Sequence, residues 1–321
     1  MEQVNADGVS AANQGSAWER DALRALLQDH LQARRSQRRW RWLKVMFWLA
    51  LALAVAYGAW RSFTHAAPVM GPHTAVVVID GAIESGGTAS ADTILQALAD
   101  AFDASEARGV VLLINSPGGS PVQAGIINDE IWRLKTLSKK PVVAVIEDMG
   151  TSAAYYIAAA ADSIYVDKAS IVGSIGVLMD GFGFTELMGK LGVERRLLTA
   201  GSNKGFLDPF SPQSREQQAH AQQMLAEIHE QFIATVRKGR GERLHETADI
   251  FSGLFWTGAR AVDLGLADGL GSLDSVAREV IQAEDVVDYT VREDLPERLV
   301  RQLGASAGAA VTRAFSAWSL R

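Results

Sequence analysis

The sequence predicts an α/β fold: a mostly parallel sheet of βαβ units, preceded by one transmembrane helix. Three observations predict it. Short β-branched runs recur along the chain, helical segments alternate with them, and the 16 residues from Val45 to Trp60 carry no charge. The composition fits a globular protein, with 321 residues, 48% of them hydrophobic, and 31 basic against 37 acidic side chains. Without cysteine there is no disulfide, thiolate nucleophile or Cys-ligated zinc or iron–sulfur site.

Charge is uneven. Residues 1–44 carry 8 basic and 5 acidic side chains, leaving 23 and 32 to the remainder, so the body is acidic and nucleic acid is not an expected partner. Adding Trp42, Leu43 and a snorkelling Lys44 to the uncharged run gives a segment that just crosses a hydrocarbon core of roughly 30 Å. Trp40, Trp42, Trp48 and Trp60 supply interfacial aromatics. Arg34, Arg35, Arg38, Arg39, Arg41 and Lys44 precede the span, which places the N-terminus in the cytoplasm and the bulk of the chain outside it. A cleaved signal peptide fits less well, because its n-region would exceed 40 residues and no clean A-x-A site follows.

The expected organisation is a cytoplasmic basic arm at 1–41, an anchor at 42–61 that meets membrane lipid, a linker at 62–73, a catalytic-sized domain at 74–286 and a tail at 287–321. Strands are expected at Thr74–Ile79, Gly109–Asn115, Pro141–Glu147, Ser163–Val166 and Glu194–Thr199. Helices are expected near Ala91–Phe102, Pro121–Leu137, Ser152–Ala161 and Phe184–Leu191. A long amphipathic helix should follow over Ser214–Arg240, with Met224, Ile228, Phe232 and Val236 on one face. A turn at Trp256–Gly258 and a short helix come next.

Two strand-to-helix junctions could carry chemistry. Asn115–Ser120 contains Gly118 and Gly119, whose backbone N–H groups at a helix start could hold an oxyanion, although a plain tight turn reads equally from the residues. The Lys and Ser/Thr of a nucleotide-binding GxxxxGKS loop are missing. Asp148–Tyr156 places Ser152 at a helix start among small residues, as a nucleophile or as an ordinary N-cap.

A nucleophilic serine needs a base. His30 lies in the arm, His65 and His73 fall in the linker, and His220, His229 and His245 fall in or just after the long helix, so a Ser/His/Asp triad is disfavoured. A lysine kept neutral by burial is the alternative, and Lys168, Lys190 and Lys204 are available. Lys190 reads as a surface residue in a last helical turn, whereas Lys204 sits in a Gly-flanked loop followed by apolar and aromatic residues. Ser174, between Gly173 and Gly176, could orient an amine or mark a glycine-permitted turn.

The ordered motifs SPGGS, TSAAYYIAAAAD, VGSIGV, GSNKGFLDPFSP and FWTGARAVDLGLADGLG resemble the bacterial signal peptide peptidase (protease IV) family over about residues 74–280. That resemblance implies a ClpP/crotonase-like fold, with Ser152 as nucleophile, Lys204 as general base, Ser174 orienting Lys204 and the Gly119 N–H in the oxyanion hole. It also implies peptide substrates such as cleaved signal peptides, a homo-oligomeric ring with sites built between subunits, an inner-membrane location, and no metal or cofactor. The chain departs from the family at Ala153–Ala154, where Gly–Gly is common, and at Gly205, where Asp often follows the lysine. A crotonase-type acyl-CoA enzyme and an inactive membrane scaffold of the same fold are the competing readings.

Overall fold

The computed structural model describes residues 40–58 and 71–292. They fall into two compact units, residues 1–68 and residues 69–321. In the first, helix α1 (Trp40–Gly58) is 19 residues long with mean hydropathy 1.3, and among the described residues it is the one helix long and apolar enough to cross a membrane. Residues before 40, at 59–70 and from 293 lie outside the described residues, and the tail expected from 287 starts later, because Val287 and Asp288 pair with Ala75 and Val76 and the Tyr289 N–H donates to Val76 O at 2.9 Å.

The second unit is the expected α/β layer structure. Its strands are β1 (His73–Asp80), β2 (Ala107–Ser116), β3 (Val142–Thr151), β4 (Ser163–Val166), β5 (Ile171–Gly173), β6 (Phe255–Thr257), β7 (Gly269–Leu270) and β8 (Val286–Asp288). The main sheet runs β6-β5-β3-β2-β1-β8, while β4 pairs with β3 and β7. Every ladder is parallel except β5–β6. The register sets Val76 beside Val111 and Val111 beside Val143, and this alternation buries both sheet faces. Val77, Leu112 and Ala144 face the helical core, whereas Val76, Val111, Val143 and Val145 pack with Val276 and Ile281 on the other side.

Helices α2 (Ala91–Asp103) and α3 (Pro121–Ser138) start where the sequence places capping serines. Ser90 accepts from the Thr93 N–H and Ser120 from the Gln123 N–H, with Pro121 preset for the first turn of α3. Helix α4 (Ala153–Ala158) follows β3 directly, and the long α6 (Arg215–Arg240) opens with a Ser214/Gln217 capping box. Short helices α5 (Thr185–Leu191), α7 (Gly258–Asp263) and α8 (Leu273–Ser275) complete the set, the last running into a π-helical turn at Val276–Ile281.

The C-terminal half of α6 is locked to the core. A Cβ at Gly239 would sit 1.8 Å from the Ala159 carbonyl oxygen, so only glycine allows this approach to the end of α4. Buried Arg240 donates to Gly265 O at 2.8 Å and forks onto Asp268 at 2.7 and 2.9 Å, while Asp268 also accepts the Ile164 N–H at 2.7 Å. Burial pulls the Asp268 carboxyl upward, but the hydrogen bonds and charge of Arg240 outweigh it and hold the group below its usual range. Complete burial pushes the Tyr155 phenol well up, and its hydroxyl donates to Leu266 O at 2.7 Å.

Three local expectations change. Residues 194–199 form no strand: all are exposed and no neighbouring strand offers a ladder to pair with. His73 is no linker residue but opens β1, buried, with its ring bonded to Tyr289 Oη at 2.9 Å and Gly71 O at 3.0 Å. Trp256 lies in β6, antiparallel to β5, instead of in a turn. The apolar stripe of α6 is buried at Phe232 and Val236, whereas Met224, nearer its start, is exposed.

Candidate active site

Ser152 stands between β3 and α4 with φ 53° and ψ −125°, a conformation that costs a non-glycine residue about 1–3 kcal/mol. Its side chain makes no capping bond, so the plain N-cap alternative does not describe it. The backbone holds the strain in place. Ser152 N–H donates to Gly173 O at 2.8 Å, and the Tyr156 N–H returns to Ser152 O at 3.0 Å. Ala153 and Ala154 are buried behind it at the start of α4.

The 116–120 turn is fixed against this junction. Thr151 Oγ1 donates to Pro117 O at 3.0 Å, and Gly118 N–H donates to Ser116 Oγ at 3.1 Å. A Cβ at Gly118 would lie 2.7 Å from the Ser152 Cβ, and one at Gly119 would lie 2.2 Å from Ile83 O. Both glycines have positive φ, 100° and 152°, so each is required twice, for backbone shape and for approach. Ile83 clamps the turn by donating to Gly118 O at 3.0 Å and accepting from Ser120 N–H at 2.8 Å.

Ser152, Gly119 and Ser174 line one open cavity of about 450 Å³ with Pro121, Gly176, Val177, Ser252 and Gly253. Ser174 is itself at φ 53° and donates its N–H to Leu254 O at 2.7 Å. A narrow apolar cleft of about 40 Å³ adjoins Ser152, walled by Ala153, Tyr156, Val177, Ile228 and Phe232. Tyr156 packs with its ring 5.1 Å from that of Phe232 at a 44° tilt and accepts from Thr235 Oγ1 at 2.9 Å, which fixes that wall. Residue reading singled out none of Tyr156, Ile228, Ser252 or Gly253 as site groups. Tyr156 and Ser252 stood within or beside quoted motifs, but nothing in a sequence marks which face of α4 or α6 meets Ser152.

Lys204 is not brought to this cavity within the chain. It sits exposed in the turns at 201–207, its N–H donating to Gly201 O at 3.1 Å. Lys168 is exposed in the β4–β5 turn, and Lys190 lies in the last turn of α5. No histidine lines the cavity: His229 bonds Ile175 O at 3.0 Å, His245 bonds Asp263 O at 2.8 Å, and His220 packs edge-on against Phe206. Among the described residues no group of three His, Asp or Glu is placed to hold a metal ion.

The segment bearing Lys204 differs in kind from the rest. Helix α5 buries no residue, and Leu178, Phe182 and Leu198 are 80%, 80% and 97% exposed. A cavity of about 770 Å³ opens between this arm and the first half of α6, lined by Met179, Phe182, Phe184, Leu207, Pro209 and Leu225 among others. Within the arm the Ser211 hydroxyl donates to Asp208 at 2.7 Å and lowers its carboxyl.

A serine on a strained strand-to-helix junction that shares an open cavity with Gly119 is an arrangement compatible with the serine-hydrolase class of site. Peptidase family S49 matches residues 135–287. "Putative protease slr0021" of Synechocystis sp. is 31% identical over 233 residues, covering 71% of this chain and 81% of that protein. "Protease 4" of Haemophilus influenzae is 31% identical over 224 residues, 68% of this chain and 36% of that protein. A Brucella abortus protein named "Na(+)/H(+) antiporter NhaA" is 46% identical over 209 residues, 64% of this chain but 28% of that protein. The chain thus spans about a third or less of these last two relatives. It belongs to peptidase family S49, the signal peptide peptidase (protease IV) family, and its sheet is of the ClpP-like type.

Proposed function

We propose that this chain is a membrane-anchored serine endopeptidase that cleaves apolar peptides outside the cytoplasmic membrane, cleaved signal peptides among them. The observation that carries the reading is the strained Ser152, uncapped and open to a cavity it shares with Gly119 and Ser174. In the reaction, the neutral Lys204 amine takes the Ser152 hydroxyl proton and Oγ bonds to the scissile carbonyl carbon. The Gly119 N–H donates to the resulting oxyanion, and lysine returns the proton to the leaving amine as the C–N bond breaks. Water, deprotonated by the same lysine, then releases the acyl group from Oγ.

Lys204 reaches the serine from a neighbouring copy in a homo-oligomeric ring. Its distance from the Ser152 cavity and the exposed apolar arm that carries it both support this arrangement, because a second copy would bury the arm and desolvate the amine. Ser174 orients that amine. The narrow apolar cleft beside Ser152 suits small or aliphatic side chains. Helix α1 holds the domain near lipid, and the basic residues before it put the N-terminus in the cytoplasm.

Full-length protein in detergent tests this with a fluorogenic apolar peptide and an activated phosphonate. Ser152→Ala and Lys204→Ala should each lower kcat by about 10⁴-fold or more. Co-assembled from the two variants, rings should regain about a quarter of the wild-type sites, because a Lys204→Ala serine then meets a Ser152→Ala lysine. Full activity in Lys204→Ala would remove the lysine from the reaction, and absent complementation would remove the shared site.

A further inference from the structure

One titratable side chain outside the proposed dyad touches the wall of the Ser152 cavity. His229, half-buried on α6, places Nε2 3.0 Å from the Ile175 carbonyl oxygen. A carbonyl only accepts, so Nε2 carries the hydrogen. This is the single hydrogen bond that residues 175–183 make among the described residues: Ser174 N–H is held by Leu254 O, and the next backbone amide with a partner is Phe184, bonded to Pro209 O.

The segment so tethered includes Gly176, Val177 and Leu178, which line the cavity together with Gly119 and Pro121. Ile175 anchors its apolar side by full burial, while its carbonyl faces α6. The turn of α6 that carries His229 also supplies Ile228, Gln231 and Phe232 to the cleft beside Ser152. That turn is rigid, being fixed by the Tyr156–Phe232 and Thr235–Tyr156 contacts and, two turns on, by Gly239 and Arg240. One helical turn therefore forms one wall of the cleft and straps the other.

We propose that His229 is a positioning residue: through the Ile175 carbonyl it fixes the 175–178 segment as a wall against which a peptide substrate is aligned for attack by Ser152. This rests on the peptidase reading for its consequence in catalysis, but the strap itself is a property of the fold. A side-chain amide reaching the same place can replace the imidazole donor, whereas a methyl group cannot.

The test compares His229→Ala and His229→Gln in full-length protein, using amide hydrogen exchange, kinetics on the fluorogenic peptide, and phosphonate labelling of Ser152. In His229→Ala, exchange at the Ser174 amide, the hydrogen-bonded donor next to the strapped segment, should rise about tenfold. Peptide kcat/KM should fall about tenfold, chiefly through KM, while labelling by the small phosphonate stays within about threefold. His229→Gln should return exchange and KM to within about threefold of wild type.

Unchanged exchange and KM in His229→Ala would overturn the proposal. So would equal loss of cleavage and labelling with no rescue by glutamine, which is the mark of a general structural defect. Wild-type protein that neither cleaves nor labels, with exchange released by alanine and restored by glutamine, would sink the peptidase reading and support the strap.

Discussion

The two regions that carry the proposed dyad are built in opposite ways. Around Ser152 the chain supplies every constraint itself: β3 delivers the serine, Gly118 and Gly119 close onto it, and Ile83, Thr151 and Gly173 hold the turn with backbone-directed bonds. Around Lys204 the chain supplies almost none, since residues 194–204 are exposed and α5 buries no side chain. A nucleophile needs strain held by a rigid core, and the core can provide that without help. An apolar arm exposed to this degree has unmet burial, and the contact that meets it can also deliver the base.

That contrast predicts which changes unfold the protein and which only disable it. The largest effect belongs to the core-built half. Arg240→Ala should cost about 2–4 kcal/mol in denaturant unfolding, because it removes the fully buried fork onto Asp268 and the bond to Gly265 O, leaving Asp268 only the more exposed Arg243 at 3.1 Å. The depressed Asp268 carboxyl adds a pH signature. A group whose folded pKa is lowered contributes fully above its unfolded value, about 3.9, and the contribution is lost as pH falls below that towards the folded value. Wild-type stability should therefore drop through that acid range, and Asp268→Asn should be weaker at neutral pH with a flatter acid limb. An equal acid slope in both would show that Asp268 does not couple to folding.

Next comes Gly119→Ala, which forces a Cβ towards Ile83 O and displaces the proposed oxyanion donor. It should lower kcat by about 10²–10³-fold with a smaller effect on KM. Wild-type kcat in this variant would move the oxyanion donor elsewhere.

The smallest effect on folding belongs to the arm. Leu198→Asp should change unfolding free energy by less than about 0.5 kcal/mol, since the side chain is 97% exposed in the single chain. It should nevertheless dissociate the proposed assembly in analytical ultracentrifugation and cost activity with it. An intact, active oligomer would break the comparison, because the arm would then not be the contact that supplies the lysine.

Much of the core-built half is legible in the sequence. The runs at Thr74–Ile79, Gly109–Asn115 and Ser163–Val166 became strands, and Pro121 and Ser214 marked helix starts, because apolar periodicity and caps are local signals. The run at Glu194–Thr199 has the composition of a strand but forms none, since a strand exists only where a partner edge is in reach. The site divides similarly. Ser152, Gly119 and Ser174 stand at small-residue junctions that read locally as caps and turns as well as site groups and are singled out by resemblance, whereas Tyr156, Ile228 and Ser252 reach the cavity through helix packing and a late loop.

The sequence by itself determined the apolar helix α1, the βαβ layering and the glycine turn at 116–120, because each follows from composition and spacing within a few residues. Only the tertiary structure decided which residues face one another across the cavity. It set the strained φ of Ser152, brought α6 and its His229 against Ile175, and left Lys204 on an open arm. Ser152 is held by Gly118 and Gly173 from other loops, and α6 meets Ile175 and Tyr156 across 54 and 79 residues, so these outcomes are fixed by close packing of the core and by no local pattern.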